Sequence, residues 1–425
     1  MSLKKLVSLL IGLLIFLGTI SCSSESEIVS TRVVEVNSVE TESTTTAGTP
    51  ATTVSETVTS TTPVVNASDD SSTTASSSST PVTPENASNA NGSMGTMSIT
   101  RCADIEIDLA FIQGPEGSKQ DRCASRLSDL VFDFTSYQGT PDSIYADVYD
   151  AILGASEAFP IPDGATSQTI HLYVSIWHRE TTNHLAVVEH RCGYIDSSSS
   201  GECERNLLAP MATQGRGMGV LSRDSALFEI VWPTLDDHEF APTSHWIPVS
   251  HEWIHVYQNA HVLNHEGPIP GFNEIDLKGP VWLYEGTADY LAALISDQFI
   301  PRNFASELEG WVTAAHEVFN EHDVPADDIL LSCESPADQV ESEIIGDSWQ
   351  CSIGRVAVAY LQHLSGSTSV EHFRSFNEEL KDYGWLTSFE RNFGRSYAQF
   401  QLEFAEFLEM QLDLKLAFIG QPSID

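Results

Sequence analysis

Positive charge is scarce in this chain. There are 20 Lys+Arg against 60 Asp+Glu, a formal net charge of −40 at pH 7. Nucleic acid and anionic membrane surfaces would be repelled by such a chain, so both are excluded as expected partners. Lysine is the scarcer cation beyond the N-terminus, where only Lys119, Lys278, Lys381 and Lys415 remain. No apolar run reaches the ~20 residues that a helix needs to cross a bilayer. Residues 23–100 contain no Phe, Tyr or Trp. A Ser/Thr-rich stretch of that kind cannot bury enough apolar surface to offset its ordering entropy. None of the 7 cysteines forms a C-x-x-C pair, which argues against a cysteine zinc cluster. The glycine-rich segment at Gly215, Gly217 and Gly219 lacks the G-K-[ST] of a phosphate cradle, and reads as a loop.

The N-terminus carries Lys4 and Lys5, then an apolar run at 6–20. A basic flank, a short apolar core and small residues describe an export signal over residues 1–21. The Ser21-Cys22 junction resembles a bacterial lipobox, with Thr19 where Leu is usual. Cys22 is then the expected lipidation site, and 22–100 a disordered tether on the outer side of a membrane. A plain secretory signal is the alternative. Asn66, Asn86 and Asn91 stand in N-x-S/T sequons, read as chance matches in a Ser-rich stretch. With Cys22 lipidated, six cysteines remain, an even number in an oxidising compartment. Nearest-neighbour pairing gives Cys102–Cys123, Cys192–Cys203 and Cys333–Cys351, one of 15 connectivities.

Residues 101–425 form the expected folded body, with a mixed part at about 101–248 and a helical part at about 249–425. Residues 143–159 place Ile144, Val148, Ile152, Ala155 and Phe159 on one helical face, and Pro160 and Pro162 stop it. Residues 169–177 alternate as a strand, with Ile170, Leu172, Val174 and Ile176 on one side. Residues 227–232 read as a second strand, ended by Pro233. Helices are expected at 249–263, 280–296, 304–322, 353–365, 369–382 and 396–415. Strands first and helices later indicate an α+β fold, with the site where the two parts meet.

That meeting point carries the chemistry. His251-Glu252-Trp253-Ile254-His255 is an H-E-x-x-H. On a helix, i and i+4 share a face, so both imidazoles can point at one metal ion. Glu252 lies close enough to reach a metal-bound water. Trp253, Ile254, Tyr257 and Ala260 would anchor the far side. Glu285 and Asp289, again i and i+4, stand on the next helix, behind Pro280. Glu285 suits the third ligand, and Asp289 suits the acceptor for a ligand imidazole's free N–H. A bland helix with exposed His and Glu would also produce the motif, but would not supply the second pair. Gly286 costs about 1 kcal/mol in a helix interior relative to Ala, which a closely approaching neighbour helix would explain. His261 is the rival third ligand, at the spacing of the longer H-E-x-x-H-x-x-G-x-x-H pattern. That pattern needs Gly where Gln258 stands, and a downstream Met-turn where only the distant Met410 is present. His261 and His265 are therefore read as polar residues near the helix end.

The pair His251-Glu252-x-x-His255 and Trp282-Leu283-x-Glu285-Gly286-x-Ala288-Asp289-Tyr290 resembles the gluzincin branch of zinc metallopeptidases, the thermolysin-like superfamily. The likeness covers roughly residues 249–292. It implies a zincin-like fold with one zinc per chain, His251, His255 and Glu285 as ligands, and Glu252 as general base. It implies hydrolysis of peptide or protein substrates. It also implies that residues 227–232 are the edge strand that aligns an extended substrate. Such enzymes use a Tyr or His from the later helices to stabilise the oxyanion. The pattern names no clear donor here; Tyr360 and His363 are the candidates, and Tyr360 lies on an apolar face.

Three functions stay open on the sequence. The first is a zinc peptidase acting on extracellular peptides. The second is a non-catalytic surface binding or adhesion lipoprotein on the same fold. The third is a metal hydrolase of another bond, such as an ester or amide of cell-wall material. No heptad or repeat points to an oligomeric state.

Overall fold

Strands rich in β-branched and aromatic residues open the body. The computed structural model describes residues 114–125, 129–163, 165, 169–194, 217–222, 226–234, 245–263, 277–300, 304–322, 326–331, 348–367 and 369–418. All of them belong to one unit. The five strands are β1 (Lys119–Ala124), β2 (Leu130–Ser136), β3 (Ile170–His178), β4 (Gly217–Ser222) and β5 (Leu227–Thr234). Their order in the sheet is β1-β2-β3-β5-β4. The three inner strands run parallel, and the two outer ones pair antiparallel to their neighbours.

Alternation sorts the two faces. Phe132 and Phe134, then Leu172, Val174 and Ile176, then Phe228, Ile230 and Trp232 enter the main core. Each such side chain contributes about 1.5–3 kcal/mol on burial. The opposite face carries Asp133, Ser175 and Glu229, all buried. There Arg191 pairs with Glu229 through both carboxylate oxygens, and Trp177, Val187, Val188, Cys192 and Val231 form a smaller cluster.

The remainder is helical: α1 (Asp142–Ala158), α2 (His184–Tyr194), α3 (Trp246–Val262), α4 (Val281–Phe299), α5 (Phe304–His322), α6 (Ala326–Leu331), α7 (Ser348–Ser365), α8 (Glu371–Phe393), α9 (Tyr397–Glu409) and α10 (Leu412–Phe418). The α+β class is thus as read. Among the described residues no helix is long and apolar enough to cross a membrane. Helix α3 packs on α1, α4 and β4, and α4 packs in turn on α7. The Trp253 indole N–H donates to the Phe159 carbonyl at 3.2 Å, tying α3 to the end of α1.

Two readings need correction. Residues 227–232 were expected to be the edge strand, yet β5 lies inside, hydrogen-bonded to β3 and β4. Its near-continuous apolar run is the signature of a strand buried on both faces. The opposite edge is β1, and the edge beside β5 is β4, built from the glycine-rich segment read as a loop. With Gly217 and Gly219 on one face, it shows no alternation of apolar and polar side chains. The structure also breaks the later helices differently. Gly384 takes φ 72° and ψ 163° inside α8, outside helical space, and Met410 is extended between α9 and α10.

Candidate metal centre

Helices α3 and α4 lie side by side and build the centre between them. His251 and His255 project from one face of α3, and Glu285 projects from the second turn of α4. The two imidazole Nε2 atoms are 2.9 Å apart. Glu285 Oε2 stands 3.1 Å from His255 Nε2 and 3.3 Å from His251 Nε2. Among the described residues these three form the group whose ligand atoms converge closely enough to hold a metal.

The protons can be placed. Asp289 Oδ1 lies 2.8 Å from His251 Nδ1, and a carboxylate only accepts, so Nδ1 carries the hydrogen. His255 Nδ1 faces Gln258 Oε1 at 2.8 Å. With both rings neutral, both Nε2 atoms are left as acceptors, pointing at each other and at a carboxylate oxygen. Three acceptors this close repel unless a cation lies among them. A tetrahedral zinc site with ligands at 2.0–2.1 Å has edges of roughly 3.3 Å, close to the triangle found here. The residues therefore fit zinc, and three protein ligands leave one position open.

The electrostatics favour a positive charge among these groups, which a proton on His251 can also supply. Burial opposes ionisation of Glu285, but His255 and His251 hold its carboxyl well below the usual range. Burial would lower the His251 imidazole, and Asp289 and Glu285 reverse this, holding it well above its ordinary value. Glu252, next along α3, is raised by burial, with His251 and His255 opposing the rise. Its carboxylate accepts the backbone N–H of Met218. The edge strand and the catalytic-base candidate are thus in direct contact.

Gly286 answers the close approach read from the sequence. A Cβ there would lie 2.4 Å from the backbone carbon of Gly354 in α7. Trp253, Ile254, Tyr257 and Ala260 are all buried, as expected of the anchoring side of α3.

The remaining candidates lie elsewhere. Tyr360 stacks on Phe407 at 4.3 Å and borders Phe400 and Phe404. His363 is exposed and meets Phe418 edge-on. Neither has a described contact with the three ligands. Packing of aromatic rings claims Tyr360, so no oxyanion donor is identified among the described residues. His261 is buried against Tyr257, apart from the triad, and His265 lies outside the described residues. Cys123 and Cys192 are each disulfide-bonded. Cys102, Cys203, Cys333, the Cys351 side chain and Cys22 lie outside the described residues.

Two participants were missed in the sequence. Gln258 stands three residues after His255, on the same helical face, which was signal enough to ask about it. Met218 could not have been found, since its role depends on which strand lies at the edge.

No protein-family model matches the chain, and no curated protein matches it. Among solved structures it is similar to the crystal structure of an aminopeptidase N family protein from Idiomarina loihiensis, at 11% identity and a TM-score of 0.35. The match covers 72% of this chain and 48% of that one, so the chain spans about half that protein's length.

Proposed function

We propose that this chain is a zinc-dependent peptidase of gluzincin type with a zincin-like fold. The observation that carries the reading is the convergence of His251 Nε2, His255 Nε2 and Glu285 Oε2 beside a half-buried Glu252. When bound there, zinc supplies a Lewis acid that lowers the pKa of a water towards ~7. Glu252 is the residue placed to take a proton from that water and pass it to the leaving amine. Strand β4, at the sheet edge and in contact with Glu252, is the element along which an extended peptide would pair. The export signal and Cys22 would put the domain outside the cell on a lipid anchor, with extracellular peptides as substrates.

The test is the zinc content of the purified chain alongside His255→Ala and Glu285→Ala variants, followed by a peptide-library screen with Glu252→Gln. About one zinc per chain, lost in both ligand variants, with cleavage abolished in Glu252→Gln, is the expected result. Zinc retained in Glu285→Ala would overturn the ligand set. The burial of Tyr360 in its aromatic cluster favours one second reading, a metal-holding binding module that does not cleave. Absence of any cleaved peptide from zinc-loaded protein would select it.

A further inference from the structure

We infer that Gln258 is the positioning residue for the metal ligand His255, and that the backbone of Tyr284 sets the direction in which it works. This rests on the zinc-site reading above and deepens it. The Gln258 amide meets two partners, the His255 Nδ1 at 2.8 Å and the Tyr284 carbonyl oxygen at 3.0 Å. A backbone carbonyl only accepts, so the amide NH2 must face Tyr284. The opposite amide flip would set two acceptors against each other. Oε1 therefore faces His255, Nδ1 must carry the hydrogen, and Nε2 presents its lone pair to the metal position.

Tyr284 precedes the ligand Glu285, so one peptide unit of α4 orients a ligand of α3. The same residue lies flat on the imidazole, its ring 4.3 Å from that of His255 and inclined by 17°. Its hydroxyl accepts from Asn259 Nδ2 at 2.7 Å, and the same nitrogen donates to the His255 carbonyl at 2.8 Å. Lys278 Nζ donates to Asn259 Oδ1 at 3.0 Å and so fixes that second amide. The two ligand imidazoles are thus oriented differently. His251 has a charged acceptor, Asp289, whereas His255 has a neutral amide. Because a neutral acceptor does not raise imidazole basicity as a carboxylate does, Gln258 acts on orientation and tautomer.

The test measures zinc affinity by competition with a chromophoric chelator, on the full chain and on Gln258→Leu and Gln258→Glu. It also assigns the ring proton of His255 by 15N-resolved imidazole spectra of the zinc-free and zinc-loaded protein. Expected are a proton on His255 Nδ1, an affinity 10–100-fold weaker in Gln258→Leu, and a smaller loss in Gln258→Glu, which keeps an acceptor at Nδ1. A folded Gln258→Leu chain with wild-type zinc affinity would overturn the inference. So would a His255 proton on Nε2 in the wild type, a measurement that stands even where the Leu variant does not fold. A wild-type chain that takes up no zinc sinks the peptidase reading instead, and the zinc-free tautomer still decides the role of Gln258.

Discussion

Gly286 of α4 and Gly354 of α7 pack backbone against backbone, one residue away from the candidate ligand Glu285. A Cβ on Gly286 would stand 2.4 Å from the Gly354 carbon and 2.5 Å from its oxygen. A Cβ on Gly354 would in turn stand 2.7 Å from the Trp282 carbonyl oxygen. Backbone cannot swing aside as a side chain can, so Gly286→Ala should cost about 1–3 kcal/mol by overpacking, despite the better helix propensity of Ala. Chemical denaturation checks this. Gly310, in α5, has nothing within 4 Å of its Cβ position. Gly310→Ala should stabilise by about 0.5–1 kcal/mol, and equal effects at the two sites would refute the packing argument.

Asp289→Ala should weaken zinc binding by about 10–100-fold with the fold intact. Asp289 Oδ1 takes the Nδ1 hydrogen of His251 at 2.8 Å, and losing that acceptor frees the ring to rotate and change tautomer. Calorimetric titration of zinc into metal-free protein measures it. Affinity unchanged in the Ala variant would remove Asp289 from the site.

Stability should fall on mild acidification through one buried and one half-buried histidine away from the candidate metal ligands. His261 is held down to about 3 by burial, with Lys381 adding to the effect. His372 is held down to about 4 by burial, with Ser369 and Glu371 opposing. In the unfolded chain both titrate near the ordinary 6.5, so acid favours the unfolded state. The loss is absent above about pH 7, grows as the pH falls below 6.5 and levels off below the native values. At pH 5.5 each histidine contributes about 1.4 kcal/mol of that loss. Urea denaturation of His261→Met at pH 7.5 and 5.5 should show a correspondingly shallower decline. An identical decline in wild type and variant would show that His261 is not buried neutral.

Glu229→Gln should destabilise by about 3 kcal/mol or more. Its carboxylate is buried against the Arg191 guanidinium, and removing one charge leaves the other uncompensated. Exchanging both for apolar residues of similar volume should cost less than the single change. Denaturation midpoints of the single and double variants decide it.

Much of the site was legible because helical spacing is a local property. His251 and His255, like Glu285 and Asp289, are brought to one face by the 3.6-residue turn alone. The position of Gly286 was legible for the same reason, since a glycine costs stability in a helix unless something lies against it. Helix α1 followed its apolar stripe closely, ending where Phe159 and Pro160 interrupt it. Helix α2 and strands β1 and β2 escaped notice. Strand β2 is buried on both faces and includes Asp133, which Arg122 pairs at 2.5 Å, so its pattern reads as neither alternating nor continuous.

The sequence by itself determined the candidate ligand types, their pairing along each helix, and the α+β class, because each depends on residues within a turn or two. Tertiary structure alone decided which strands form the edges, that Met218 meets Glu252, that Tyr360 is claimed by aromatic packing, and that Gln258 orients His255 through the carbonyl of Tyr284. Each of those depends on contacts between distant elements, and no local period encodes which surfaces will meet.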